Sequence, residues 1–266
     1  MYLLNLATCM AESTESFCHG LAQYLEIRLG IPTQCVAGIP WQERERLFDQ
    51  GAIQVLWLCG LPYVRKTQFK DFAIELLAVP IPLGARYRAE PIYFSDVVVK
   101  RESRFRSFYD LRGSSWAYNE PMSHSGFNVV RAYLAGFGYS QGFFREIVES
   151  GSHTASIEMI LNDQVEASAI DTTVLDWVID QRPEVETQIR VIETIGPSPI
   201  PPWVSSTQLP GHVRSALRRT FLGMHEDNEG RAILDRGRIT RFVAAHDTDY
   251  DPIRRMADVA ASVSLV

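Results

Sequence analysis

Short apolar runs alternate with amphipathic segments over the first sixty residues, and this alternation constrains the fold more than any other feature. The apolar runs have the length and composition of buried strands, and the segments between them place apolar residues at helical spacing. Strands are predicted at Tyr2–Thr8, Thr33–Gly38 and Ile53–Cys59. Helices are predicted up to a stop at Gly30 and over Trp41–Asp49. A β–α–β–α–β order of this kind predicts an α/β fold with a parallel sheet.

The same alternation continues through the rest of the chain. Further strands are predicted at Leu76–Leu83, Ile92–Lys100, Trp116–Tyr118, Ala167–Ile170 and Ile189–Thr194. Further helices are predicted at Gly126–Phe137, Gly142–Glu149, Ala155–Asn162, Thr172–Asp180 and Leu209–Gly223, followed by terminal helices. The Pro-rich segment GPSPIPPW, residues 196–203, is interpreted as a connector.

Charge and hydropathy exclude several classes of protein. The chain has a net charge of −6 and no dense Lys/Arg cluster, which argues against a nucleic-acid-binding surface. No apolar run approaches the length of a membrane span, so none is predicted. The N-terminus lacks the basic region of a signal peptide, so a cytoplasmic protein is expected unless a leader has been removed.

The four cysteines do not predict a metal site. They are Cys9, Cys18, Cys35 and Cys59, and none of them forms a CxxC pair. Zinc sites need closer ligand spacing, so we predict no metal and no cofactor. Scattered cysteines without a disulfide pattern favour a reducing compartment.

The stretch YNEPMSHSGF, residues 118–127, is the strongest candidate for a functional site. Ser123, His124 and Ser125 directly precede Gly126 and a helix. Free N–H groups at a helix N-terminus bind oxyanions, serine hydroxyls can add donors, and glycine allows close approach to the backbone. From these residues alone, Ser125 could be a nucleophile, part of an anion clamp, or a helix cap.

At this point the sequence resembles the phosphate/phosphonate-type substrate-binding proteins of ABC transporters. The resemblance covers residues 2–235, and a combination of motifs carries it. These motifs are VLWLCGLPYV, the DLRG turn, the SHSG loop, the GSH–AID stretch and ETIGPSPIPPWV. The resemblance implies a type II periplasmic-binding-protein fold with two lobes and a ligand cleft between them. One lobe would comprise 1–92 plus 197–266, and the other, which carries the anion loop, 93–196, with two hinge crossovers.

The resemblance also implies a set of binding residues. Ser123, His124 and Ser125, with the N–H groups of Gly126 and Phe127, would hold the anionic head of the ligand. His153 would add a donor, although a lone histidine is also a common surface or capping residue. The remaining members of the set are Tyr63 and Tyr93 as cleft walls, and Asp171, Thr172 and Thr173 as ligand contacts or helix caps.

One departure from the family bears on the ligand. Members that bind aminophosphonates place acidic residues around the amine, whereas this chain has Thr173 at one such position. The return segment GPSPIPPW also lacks an acid. The expected ligand is therefore a small oxyanion such as a phosphonate, phosphate or phosphite, delivered to an ABC transporter permease. A periplasmic or cell-surface location would follow if a leader has been removed.

Two alternatives remain open from the sequence. The same fold occurs in cytoplasmic enzymes and ligand sensors, because a fold does not fix a function. Ser125, His153 and Asp171 also occur in an order that could form a hydrolase triad, although SHSGF lacks the GxSxG pattern of a nucleophile elbow. Non-catalytic binding is the prediction that the motifs favour.

Overall fold

The computed structural model describes residues 3–11, 14–68 and 73–266. Tyr2, with which the first predicted strand begins, lies outside the described residues. Within them, no helix has the length and apolar character needed to cross a bilayer.

Eleven strands and ten α-helices make up the regular structure of the described residues. The strands are β1 (Leu4–Thr8), β2 (Thr33–Cys35), β3 (Val55–Trp57), β4 (Ile74–Pro82), β5 (Ile92–Lys100), β6 (Ser115–Tyr118), β7 (Glu146–Glu149), β8 (Ala167–Asp171), β9 (Ile189–Pro199), β10 (Trp203–Ser206) and β11 (Ile239–Val243). The helices are α1 (Glu15–Leu29), α2 (Trp41–Asp49), α3 (Gly60–Gln68), α4 (Val129–Gly136), α5 (His153–Leu161), α6 (Thr172–Gln181), α7 (Glu184–Gln188), α8 (Gly211–Gly223), α9 (Asn228–Arg236) and α10 (Asp251–Ala260). A π-type turn, His124–Asn128, leads directly into α4.

The chain divides into two compact units. The first contains Met1–Ile92 and Pro199–Tyr250, and the second contains Tyr93–Ser198 and Asp251–Val266. The sequence had placed 251–266 with the first unit. The structure places these residues with the second, because apolar side chains of α10 and the tail pack against its core, among them Val263.

The first unit is built on a six-stranded mixed sheet with the order β11-β4-β10-β3-β1-β2. Strand β1 runs parallel to β2 and β3, as the β–α–β–α–β pattern predicts. Strand β10 enters antiparallel to β3. The rings of Trp57 and Trp203 stack at 5.3 Å across this pair, and both belong to the apolar core of the unit.

The second unit is built on a five-stranded sheet with the order β7-β6-β8-β5-β9. The run Val97, Val98 and Val99 in β5 is fully buried, since β-branched side chains suit a strand that is covered on both faces. Trp116 of β6 is also fully buried and stacks on Phe144 at 4.6 Å. This apolar core fixes the sheet from which the candidate site extends.

Several elements differ from the sequence prediction. The segment predicted as a helix at Gly142–Glu149 instead ends in strand β7, which pairs in parallel with β6. The Pro-rich connector is largely strand, because β9 extends to Pro199 and β10 begins at Trp203. Strand β11 occupies part of the region predicted as terminal helices. In each case the deciding factor is a partner strand far away in the sequence, which local spacing does not reveal.

Candidate functional site

The predicted residues of the second unit gather at one edge of its sheet. Strands β6, β7 and β8 run in parallel, so their last residues, Tyr118, Glu149 and Asp171, lie at the same edge. Strand β5 runs antiparallel to β8 with Ser95 opposite Asp171, which brings the start of β5 at Tyr93 to this edge as well. The carboxyl ends of parallel strands are where open α/β sheets bind ligands.

A turn rich in serine follows β6 at this edge, and we call Ser123–Phe127 the serine turn. Ser123 has an extended backbone, and its Oγ accepts a hydrogen bond from the Gly126 N–H at 3.0 Å. Ser123, and not Ser125, is therefore the helix cap. The Gly126 N–H, predicted to hold an anion, is engaged in this cap. A first helical turn cannot satisfy its own N–H groups, so those of Ser125 and Phe127 remain for another acceptor.

Ser125 pairs with His153 at the N-terminus of α5. Ser125 Oγ lies 3.0 Å from His153 Nε2, and both side chains are buried. Burial lowers the pKa of His153 to about 4. The ring is therefore neutral at pH 7. When Nε2 carries the ring proton it donates to Ser125 Oγ, which leaves the serine O–H for an anion.

Asp171 and the two threonines after it are engaged at the start of α6. Asp171 Oδ1 accepts from the backbone N and the Oγ1 of Thr173, at 2.8 and 2.7 Å. Thr172 Oγ1 accepts from the backbone N of Phe94 at 3.1 Å. Burial raises the pKa of Asp171 to about 6. The carboxylate thus serves as the cap of α6 and does not complete a triad with His153.

His124, the second residue of the serine turn, has a fully buried side chain. Its Nε2 lies 3.0 Å from Ser198 Oγ, and its Nδ1 lies 3.2 Å from Asn128 Nδ2. Burial lowers the pKa of His124 to about 3, so the ring carries no charge at neutral pH. The fully buried ring of Tyr93 packs against it, with centroids 6.4 Å apart. Because Ser198 and Asn128 occupy both ring nitrogens, the His124 side chain holds the turn in place. It does not act as a charged donor.

Tyr63 lies in the first unit, on helix α3. Proline is tolerated in the first turn of a helix, so Pro62 does not prevent α3 from beginning at Gly60. The Tyr63 hydroxyl donates to Asp247 Oδ1 at 2.7 Å, and its ring packs on Tyr250 at 4.6 Å. Its predicted part in contacting a ligand stays a prediction.

Sequence reasoning missed some residues that organise this edge. Ser152 caps α5, because its Oγ accepts from the backbone N of Ala155 at 3.0 Å. A serine three residues before Ala155 and ahead of an apolar run was a readable signal. Ser198, the partner of His124, had no such signal, because the contact joins residues 74 positions apart. Among the described residues, no group of three or more His, Cys, Asp or Glu side chains is placed to hold a metal ion.

Comparisons with known proteins identify the class to which this arrangement belongs. Residues 9–250 match the model of the family described as ABC transporter, phosphonate, periplasmic substrate-binding protein. The phosphonates-binding periplasmic protein of Escherichia coli is 27% identical over 172 residues, which is 63% of this chain. That alignment spans only about half, 51%, of the length of the Escherichia coli protein.

Solved structures show the same fold at low sequence identity. PhnD1 of Prochlorococcus marinus, in complex with methylphosphonate, superposes with a TM-score of 0.86 at 16% identity, over 98% of this chain and 99% of the other. A binding protein component of an ABC phosphonate transporter from Pseudomonas aeruginosa gives a TM-score of 0.84 at 17% identity, over 97% and 86%. These matches confirm the predicted two-lobed α/β fold class.

Proposed function

We propose that this chain, which belongs to the family of periplasmic substrate-binding proteins of phosphonate ABC transporters, binds a small oxyanion of the phosphonate class at the serine turn. The observation that carries the proposal is the gathering of buried polar side chains at one sheet edge. Ser123, Ser125 and His153 are each at most 8% exposed, yet none is a core residue by its chemistry. Buried polar groups need partners, and an oxyanion supplies acceptors for several of them together.

The binding energy would come from neutral dipoles. The helix that starts at the serine turn and the helix that starts at His153 both direct N–H groups toward this edge. Both nearby histidines are neutral at pH 7, because burial lowers the pKa of each of them. Oriented backbone dipoles hold anions without a formal positive charge, which suits a chain whose net charge is −6.

The groups at this edge favour a ligand without an amine. Asp171 is a buried acid at this edge, and its Oδ1 already accepts two hydrogen bonds from Thr173. Glu149, at the end of β7, accepts from the Tyr118 hydroxyl at 3.3 Å. Burial also raises the pKa of Asp171, which weakens its capacity to carry a negative charge. We therefore infer that methylphosphonate, phosphite or phosphate fits better than 2-aminoethylphosphonate.

The compartment and the partner follow from the family. Its members are periplasmic components of ABC transporters, so we infer that this chain acts in the periplasm and delivers its ligand to a transporter permease. The role is capture and release, and the serine–histidine pair serves binding instead of hydrolysis.

A thermal-shift screen tests the proposal. The panel contains phosphate, phosphite, methylphosphonate, 2-aminoethylphosphonate, sulfate and small carboxylates at millimolar concentration. A ligand that binds only the folded state stabilises it by RT ln(1 + [L]/Kd), so even a modest binder raises the Tm. We expect a selective rise with one or more phosphorus oxyanions, which Ser125→Ala reduces. A panel without any selective shift would contradict the proposal.

A further inference from the structure

Asn119, the residue directly after strand β6, lies over the serine turn although the sequence motifs do not single it out. Its backbone oxygen accepts from the Gly151 N–H at 2.9 Å, which ties the end of β6 to the loop before α5. Its side chain is close to Gly126, and the same side of Gly126 faces the His153 ring at the start of α5. This residue belongs to neither the capping interactions nor the serine–histidine pair described above.

The Asn119 side chain can occupy its position because residue 126 is a glycine and has no Cβ. A Cβ built on Gly126 would lie 2.0 Å from Asn119 Oδ1 and 3.1 Å from His153 Cε1. Both distances are below ordinary van der Waals contact. The Asn119 carboxamide and the His153 ring are thus each packed directly against Gly126.

The oxygen of the Asn119 carboxamide lacks a hydrogen-bond partner within the part of the chain that the structure describes. This atom, Oδ1, is buried. Native proteins rarely leave a buried polar atom without a partner, so such an atom at a binding edge points to a missing ligand. An asparagine amide can rotate about its last bond and present either its oxygen or its NH₂ group to the same place.

We propose that Asn119 is a direct ligand contact, whose carboxamide NH₂ donates to an oxygen of the bound oxyanion. This inference rests on the proposed function and adds a specific residue to it. Rotation of the amide exchanges Oδ1 for the NH₂ group beside Gly126, so a donor takes the position where the oxygen has no partner among the described residues. The anion is then held from the strand side as well as from the helix side.

Asn119→Asp is the sharpest test, because it keeps the shape of the side chain and replaces a donor by a negative charge. Like charges in contact in a low-dielectric site repel strongly, so we expect methylphosphonate affinity at pH 7.5 to fall on the order of 100-fold or more. Asn119→Ala removes the donor without adding charge, and a loss of about 5- to 20-fold is expected. Isothermal titration calorimetry measures both, and Asn162→Asp, at the far end of α5 from His153, is the control for an added charge.

The pH dependence separates direct contact from a structural role. A protonated aspartic acid is neutral and can donate, so the affinity of Asn119→Asp relative to wild type should recover as the pH falls toward about 4. A change that merely distorts the turn would leave this ratio constant with pH. Unchanged affinity in Asn119→Asp, or a ratio that does not vary with pH, would overturn the inference while leaving the proposed function intact. A wild-type protein that binds no oxyanion would overturn both.

Discussion

Substitution of Gly126 by alanine should weaken ligand binding much more than it weakens the fold. The new Cβ would lie 2.0 Å from Asn119 Oδ1, so the carboxamide must withdraw by at least 1.4 Å to reach an ordinary contact of 3.4 Å. The His153 ring, 3.1 Å from the same Cβ, must also give by a few tenths of an ångström, which disturbs its 3.0 Å contact with Ser125. Overpacking of this kind costs about 1–3 kcal/mol. In the free protein the displaced groups can relax this strain, but they must return to their original positions to hold the ligand, so binding bears most of the cost.

The loss should therefore appear as a rise in Kd of about 5- to 150-fold, measured by isothermal titration calorimetry with methylphosphonate. Gly136→Ala is the matched control, because a Cβ at Gly136 meets nothing within 4 Å and the residue lies in helix α4. That control should keep wild-type affinity and gain about 0.5–1 kcal/mol of stability.

A double-mutant cycle identifies the atom responsible. Asn119→Ala removes the carboxamide that the new methyl group would strike, so Gly126→Ala should cost less in that background than in wild type. Wild-type affinity in Gly126→Ala would refute the reasoning. It would mean that the positions of the Asn119 and His153 side chains do not affect the Kd for the ligand.

Three further predictions follow from buried groups. Asp171 has a pKa of about 6 in the folded chain against about 3.9 when unfolded, so this carboxyl should make folding less stable as the pH rises from about 4 to about 6. Chemical denaturation across that range should show Asp171→Asn losing this contribution, and identical pH profiles would contradict it. His124 has a folded pKa of about 3, so its stabilising contribution should be complete above pH 6.5 and decline as the pH falls toward 3. His124→Gln should be less sensitive to acid than wild type in the same assay, and equal sensitivity would count against it. A hydrogen bond from Cys18 lowers the pKa of Cys35, while burial raises that of Cys18, so iodoacetamide should modify Cys35 first, and peptide mass spectrometry showing the reverse order would refute this.

Elements with strong local signals were predictable from the sequence. Helix α2 and strand β5 have the predicted bounds, Trp41–Asp49 and Ile92–Lys100. Helix α1 ends as predicted at Gly30, which adopts the left-handed conformation that glycine allows. These features depend on residues close together in the chain, where spacing and capping chemistry decide the outcome.

Elements that depend on distant partners were not predictable in the same way. Strand β10 forms because Trp203–Ser206 inserts between β3 and β4, whose residues are more than 120 positions away. Strand β7 forms where helical spacing had predicted a helix, because β6 offers it a parallel partner. Local patterns carry no information about which edge of a sheet is open.

The sequence singled out a segment whose polar side chains the structure gathers at one edge of the sheet, but it did not predict their individual contacts, and their part in ligand binding stays a prediction. The motif led to the serine turn, yet it did not distinguish the cap, Ser123, from the serine that pairs with His153. It also grouped His124 with the residues that hold the anion, whereas both ring nitrogens of His124 have partners within the protein, Ser198 and Asn128. The sequence did not single out Asn119, because the position of its side chain depends on the space beside Gly126, which only the folded structure reveals.

A crystal structure of the protein with methylphosphonate would test the central claim most directly. The account predicts phosphonyl oxygens about 2.7–3.2 Å from Ser125 Oγ and from the backbone N atoms of Ser125 and Phe127. A ligand bound elsewhere, with the serine turn making no contact to it, would contradict the account.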